Sequence, residues 1–179
     1  MVKKYQIIYA DPPWQYSFSG TRKVKNDDYQ TPKADFLYSL DVASISDKNC
    51  ALFMWVIFNR LQEALNVISS WGFTYKSCAF TWVKRNSNSM GWFWGMGGWT
   101  RANAELCLIA TKGKPKRESA GIHSIVDTPI MKHSRKPDEV VRDRIVALCG
   151  DLPRIELFAR RKVEGWDCWG NEVESDIEL

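Results

Sequence analysis

Residues 5 to 18 read YQIIYADPPWQYSF. The apolar opening predicts a β-strand, and Asp11-Pro12-Pro13-Trp14 ends it abruptly. Two consecutive prolines remove two backbone N–H donors and hold the chain extended, so a ladder cannot continue past Asp11. The break gathers a carboxylate, a carbonyl without a ladder partner and an indole at one strand end, a grouping that suits a bound ligand.

Outward from this stop, the polar, basic stretch Ser19 to Asp35 keeps no period and reads as a loop, of a length that is usually functional or disordered. KADFLYSLDVASIS (33–46) predicts a short helix, CALFMWVI (50–57) a fully buried strand, and NRLQEALNVISSWGF (59–73) an amphipathic helix. That helix places Leu61, Leu65 and Ile68 on one side and ends at Gly72. TYKSCAFTWVK (74–84) and NAELCLIATKG (103–113) predict two strands of a hairpin around a Gly- and Trp-rich loop, Asn86 to Ala102. Lys114 to Lys136 is basic with little periodicity. PDEVVRDRIVALCG (137–150) is the best-marked helix, with proline near its start, acids in its first turn and glycine at its end. RIELFAR (154–160) and GWDCWGNE (165–172) close the chain as short strands and turns.

Alternating helices and buried-type strands predict an α/β domain with a mainly parallel sheet and an antiparallel hairpin at one edge. Ligands of such sheets sit outside the carboxyl ends of the strands. Asp11 to Trp14 and Ala159 to Arg161 both fall at such ends, on one rim.

A chain of 179 residues predicts one domain over 1–179. Its 45% hydrophobic and 26% charged residues are ordinary for a soluble protein. The longest apolar run, ALFMWVIF (51–58), is far short of the ~20 residues of a membrane span, and no signal peptide is visible at the start, so a cytoplasmic protein without membrane contact is expected. The five scattered cysteines lack a C-x-x-C pair and the histidines number two, which suggests neither a disulfide framework nor a metal site. The net charge of +4 permits nucleic-acid binding without demanding it. Nine tryptophans, three of them in GWFWGMGGW (91–99), are more unusual. They are core and wall material, or faces on which bases stack.

Asp-Pro-Pro-Trp suits one chemistry well. An exocyclic amine on a base is a poor nucleophile because its lone pair is delocalised into the ring. Two acceptors that take both N–H bonds restore nucleophilicity and stabilise the charge that develops in the transition state. The Asp11 carboxylate and the Pro12 carbonyl are two such acceptors at a spacing fixed by proline rigidity, and Trp14 is placed to stack on the base.

The tetrapeptide resembles the catalytic signature of S-adenosylmethionine-dependent amino-methyltransferases, and its Trp form that of the MT-A-seventy family, named for the catalytic subunit of the eukaryotic mRNA adenine methyltransferase. AELCLIATKGKP (104–115), HSRKPDEV (133–140), ELFAR (156–160) and GWDCWGNE resemble that family's successive motifs in order, over nearly the whole chain. The resemblance implies a Rossmann-like class I methyltransferase fold with permuted motif order, the catalytic strand first and the cofactor strand near the end. ELFAR stands where other methyltransferases carry glycines. By position, Asp11, Pro12, Pro13 and Trp14 are implied as catalytic. Lys136 is implied at the methionine carboxylate of S-adenosylmethionine, and Glu156 and Arg160 at its ribose. Asn171 and Glu172 are implied at ribose and adenine, with Phe158 in the same cofactor site. Tyr29 matches an aromatic that lines the acceptor pocket or anchors its loop, and Glu105 an acid near the target base or a solvent-facing strand end. Ser134 and Arg135 would shape the Lys136 turn.

The implied substrate is the N6 amine of adenine in nucleic acid, DNA favoured over RNA, single-stranded or melted, with a homodimer or second subunit as an option. Arg22, Lys23, Lys25, Lys112, Lys114, Lys116 and Arg117 could follow a phosphate backbone. Two other readings stand beside this: a non-catalytic nucleic-acid-binding subunit, and methylation of a glutamine or small amine, which uses Tyr in place of Trp.

Overall fold

The computed structural model describes residues 3–14, 34–97, 99–131 and 136–179. The expectations for Tyr29, for Ser134 and Arg135, and for the cations Arg22, Lys23 and Lys25 lie outside these residues.

The first strand, β1 (Tyr5–Ala10), points alternate side chains to opposite faces of a sheet, as a strand must. Ile8 and Ala10 enter one apolar layer and Ile7 and Tyr9 the other, so β1 is covered on both faces. The next strand, β2 (Ser46–Val56), divides likewise, Leu52 and Met54 against Phe53 and Trp55. β3 (Thr74–Arg85), β4 (Ala104–Lys112), β5 (Ile125–Pro129), β6 (Arg154–Leu157) and β7 (Asp167–Trp169) complete a seven-stranded sheet in the order β5-β3-β4-β2-β1-β6-β7. β4 pairs antiparallel with both β2 and β3, and every other pairing is parallel.

Helices cover both faces. The short helices α1 (Ala34–Ser39) and α2 (Val42–Ile45) and the longer α3 (Leu61–Ser70) lie on the layer that holds Ile8, and α4 (Asp138–Cys149) on the layer that holds Ile7. α3 buries Ala64, Val67 and Ile68, while Leu61 and Leu65 pack only partly against that core. Its buried face is therefore turned from the one expected. The indole of Trp71 donates to the Leu37 carbonyl at 2.8 Å and ties α3 to α1. Among the described residues no helix is long and apolar enough to cross a membrane.

The expected α/β architecture is present, with two differences of detail. The single helix expected over 33–46 is two, because the Asp41 side chain accepts from Ser44 N at 3.1 Å and starts a new helix as its N-cap. The hairpin is not at the sheet edge: β5, inside the stretch expected to be irregular, pairs with β3 outside it. Only Val126 of β5 is buried, so this edge strand has no apolar alternation to be read.

The chain order sets the site. β1 lies between β2 and β6, and the chain leaves β1 toward β2 but leaves β6 toward β7. Connections that diverge from two neighbouring parallel strands leave a crevice at their carboxyl ends. Asp11 follows β1 there, and the turn after β6 begins at Phe158, whose φ of 62° is a conformation rare outside glycine. That turn is fastened to the end of β7 by Ala159 N donating to Trp169 O at 3.0 Å. A Cβ at Gly170 would stand 2.3 Å from the Ala159 carbonyl oxygen, so only glycine allows this approach. Gly170→Ala is expected to lower stability by about 1–3 kcal/mol, as overpacking does. Urea unfolding measures it, and an unchanged midpoint would show that the Phe158 turn is not clamped by β7.

Candidate active site

Beyond β1 the backbone closes on itself. Asp11 N donates to Leu157 O at 3.4 Å, the last bond to β6, and Trp14 N donates to Pro12 O at 2.9 Å across a tight turn. The Pro12 carbonyl keeps its second lone pair. Trp14 differs from the expectation. It is 6% exposed within the apolar core, and its indole N–H donates to the Trp55 carbonyl at 2.7 Å. A buried ring beside a strand end packs better against the core than in water. Trp14 is therefore tied into the core beside the turn, with little of its ring exposed.

Four charges form an alternating chain from this turn. Lys136 Nζ lies 2.7 and 2.8 Å from the two Asp11 carboxylate oxygens and 3.3 Å from Glu105 Oε2. Glu105 Oε1 in turn accepts from Lys84, which sits over the Trp82 ring. Glu105 does not face solvent, since it is buried at the start of β4. For Asp11, Glu105 and Lys136, burial and pairing oppose each other, and the balance differs from one to the next. For Glu105, burial pushes the carboxyl up, but the ammoniums of Lys136 and Lys84 outweigh it and hold it below its ordinary value. For Asp11, burial wins over Lys136, and Asp138 and Glu105 add repulsion, so its carboxyl is pushed up. Burial opposes the charge on Lys136, but Asp11 and Glu105 outweigh it and hold its ammonium above the ordinary range. Removing one member of such a buried pair typically costs about 3–5 kcal/mol, because the partner is left uncompensated.

Next to this chain is a cavity of about 590 Å³, whose lining includes Asp11, Lys136, Asp138, Glu156, Phe158 and Arg160. Five of these six were expected in the site. Glu156 is held by Arg142 Nη1 at 2.5 Å, and burial, only partly offset by Arg142, raises its carboxyl to about 7. The Phe158 ring meets Trp169 edge-on at 5.4 Å. Arg160 Nε lies 3.6 Å from Glu172 Oε1, both half exposed. Asn171 and Glu172 do not line the cavity; both are exposed, and Glu172 meets it through Arg160.

The sequence reading missed Arg142, Asp138 and Lys84. Arg142 is buried between Val141 and Ile145 on the core side of α4, and a charge on an apolar face was the signal that it needs a partner. Asp138, read as a first-turn acid, accepts from Tyr9 Oη at 2.7 Å, and Tyr9 Oη accepts from Trp55 Nε1 at 2.5 Å. The start of the basic stretch after β4 is not at this rim. β4 runs antiparallel from Glu105 beside the site to Lys112 opposite Cys50, so Lys114, Lys116 and Arg117 follow at the far end of the sheet. Lys112 itself is tied to Ser46 Oγ at 2.7 Å.

The family profile described as MT-A70 matches residues 5–172. The chain is 35% identical to Type II methyltransferase M.MunI of Mycoplasma sp over 99% of its own length and 82% of that protein. It is 29% identical to N(6)-adenine-specific methyltransferase METTL4 of Homo sapiens over 96% of its length, and 28% identical to N(6)-adenosine-methyltransferase MT-A70-like of Arabidopsis thaliana over 94%. It spans only 38% and 24% of those two proteins.

The raised carboxyl of Glu156 has a stability signature. Unfolded, a glutamate titrates near ~4.3; folded, this one titrates near 7, so between those values the native state binds the extra proton. Stability is therefore expected to fall as pH rises from about 4.5 to about 7. Asp11 adds in the same sense. Thermal unfolding across this range should show a shallower slope in Glu156→Gln, and an identical slope would remove Glu156 as its source.

Proposed function

The chain belongs to the MT-A70 family, and we propose on that premise that it transfers a methyl group from S-adenosylmethionine to the N6 amine of adenine in nucleic acid, with DNA the favoured polymer. The observation that carries the proposal is the Asp11 carboxylate at the mouth of the cavity, beside a proline carbonyl with a free lone pair.

The residues present fit the cofactor. An amino-acid carboxylate calls for a cation, which Lys136 offers, and vicinal hydroxyls call for a carboxylate, which Glu156 offers. Arg142 Nη2 is buried beside Glu156 without a hydrogen-bond partner among the described residues, a donor available to a polar group entering the cavity. The volume lies within the range of small-molecule sites, ~300–1,000 Å³. When bound, S-adenosylmethionine supplies an electrophilic methyl carbon. Lys136 would hold its carboxylate end, Phe158 and Arg160 would wall the ribose end, and Asn171 and Glu172 would meet the adenine end.

At the acceptor, Asp11 takes one N–H of the amine and the Pro12 carbonyl takes the other, which draws the nitrogen lone pair out of the ring. As the new N–C bond forms, the bond from the methyl carbon to sulfur breaks and leaves a neutral thioether, and the proton released from the amine passes to an Asp11 oxygen, whose raised pKa makes it a better base than an exposed aspartate. Trp14 acts through the turn it adjoins, by fixing the direction of the Pro12 carbonyl. Glu105, held between two lysines, positions Lys136.

DNA is favoured because the relative named a type II methyltransferase is matched over most of its length. The relatives named for adenosine are matched over about a quarter of theirs, with RNA as the alternative polymer. Incubation with labelled S-adenosylmethionine and separate DNA, RNA and protein pools should put the label into N6-methyladenine of DNA. Label in RNA alone would reverse the choice of polymer, and label in protein alone would overturn the function.

Two substitutions separate donor from acceptor. Asp11→Ala is expected to abolish transfer while cofactor affinity, measured by calorimetry, stays the same or rises, since Lys136 is then released from its partner. Lys136→Ala is expected to weaken cofactor binding about tenfold or more, the loss of a charge-assisted contact worth ~1.5–3 kcal/mol. An unchanged dissociation constant would remove Lys136 from the cofactor site.

A further inference from the structure

The described residues of the loop between β3 and β4 are hydrogen-bonded to one another, yet its three tryptophans are exposed. Asn86 N donates to Gly91 O at 3.0 Å, Phe93 N to Lys84 O at 2.9 Å and Gly95 N to Ala102 O at 2.8 Å, so the backbone is paired on itself. A Cβ at Gly97 would stand 2.0 Å from the Thr100 carbonyl oxygen, so no larger residue fits that bend. Despite this close folding Trp92, Trp94 and Trp99 remain 42%, 59% and 103% exposed, and Met90 and Met96 are exposed beside them. Large apolar side chains gathered on a surface mark an interaction site.

Chemistry and place select the occupant. From Asn86 to Asn103 the chain holds no acid and one cation, Arg101, which suits an anionic partner. At the root of the loop the Arg85 guanidinium lies 4.7 Å from the centre of the Trp92 ring and is fixed by Asp127 at 2.5 Å, so one ring is already pinned in place. The loop leaves β3 just after Lys84 and returns to β4 just before Glu105, two members of the charge chain that ends at Asp11. Its root is therefore on the rim of the candidate active site. Planar rings, no negative charge and nearness to the acceptor site match the bases of a polyanion, which stack on aromatic faces whatever their sequence.

We propose that Trp94 and Trp99, with the pinned Trp92, form a stacking platform for unpaired bases next to the target adenine, so that single-stranded or locally melted nucleic acid is engaged ahead of perfect duplex. The inference rests on the reading of nucleic acid as substrate. In a duplex both faces of each base are already stacked, and a methyltransferase acting there must extrude its target. An unpaired strand presents base faces to the platform without that step.

The test uses the full chain with one adenine-containing oligonucleotide as single strand, bubble and duplex, at matched salt because phosphate contacts are salt-dependent. Anisotropy of a labelled oligonucleotide reads affinity, labelled cofactor reads initial rates, and sedimentation reads the oligomeric state. Trp94→Ala and Trp99→Ala are each expected to raise the Kd for single strand about tenfold, which corresponds to ~1.4 kcal/mol and lies within the range of base stacking. Affinity for duplex and for S-adenosylmethionine should stay within about twofold, and the retained cofactor affinity shows that the variants fold. Trp94→Phe and Trp99→Phe should restore most of the affinity, because a stacking face is kept. Unchanged single-strand affinity in the alanine double variant overturns the proposal, as does equal or faster wild-type turnover on perfect duplex. Loss of a wild-type dimer in that variant, with oligonucleotide affinity intact, also overturns it and assigns the loop to self-association. Tryptophan-dependent binding of single strand without methylation of any nucleic acid would support the platform and refute the methyl-transfer function.

Discussion

Lys136 reaches Asp11 across 125 residues of sequence, and this contact joins the two halves of the candidate site. Without a cation at that point, Asp11, Glu105 and Asp138 would leave three carboxylates close together in a poorly solvated place, where mutual repulsion would neutralise or separate them. With it, Asp11 remains beside the proline turn, Glu105 stays ionised, and the start of α4 is drawn against the end of β1. The order of strands, the turn after β6 and the cavity all converge on this ammonium.

What could be read in advance was whatever a few neighbouring residues settle. Two prolines after an apolar run stop a strand in any context, so the end of β1 was legible; the cavity wall made by Glu156, Phe158 and Arg160 was reached only through the resemblance of ELFAR to a family motif. Proline near the start and glycine at the end marked α4 for the same local reason. β5 was not legible because an edge strand with one buried residue has no period. Nor was the split between α1 and α2, which depends on one aspartate side chain turning back to cap Ser44. The orientation of Trp14 was beyond sequence: an indole beside a ligand and an indole tied into the core look alike until the carbonyl of Trp55 is found to accept its N–H.

Phe158 shows how one chemistry is served by different residues. A turn that must bring backbone close to a ligand is usually made by glycine, which adopts positive φ at no steric cost. Here a phenylalanine holds φ at 62°, and the surroundings compensate: the ring leans on Trp169, while Gly170 makes room for the Ala159 carbonyl. The small residue is displaced from the turn to the strand that supports it. A bulky wall against the cavity is the result.

The position of β1 has a consequence for how the chain is made. Of the seven strands it is the earliest in the chain, and it is a central strand of the sheet, with both faces buried. One edge can pair with β2 as soon as β2 is made, Ile7 against Ala51, but the other waits for β6, Ile7 against Arg154 and Ala10 against Leu157. Until β6 is made, then, an apolar strand with unpaired backbone groups stands as a temporary edge, the kind of surface that recruits stray strands. The long loop closure makes this the slow pairing of the fold. Nascent chains stalled before residue 154 therefore carry the aggregation risk that the finished sheet conceals.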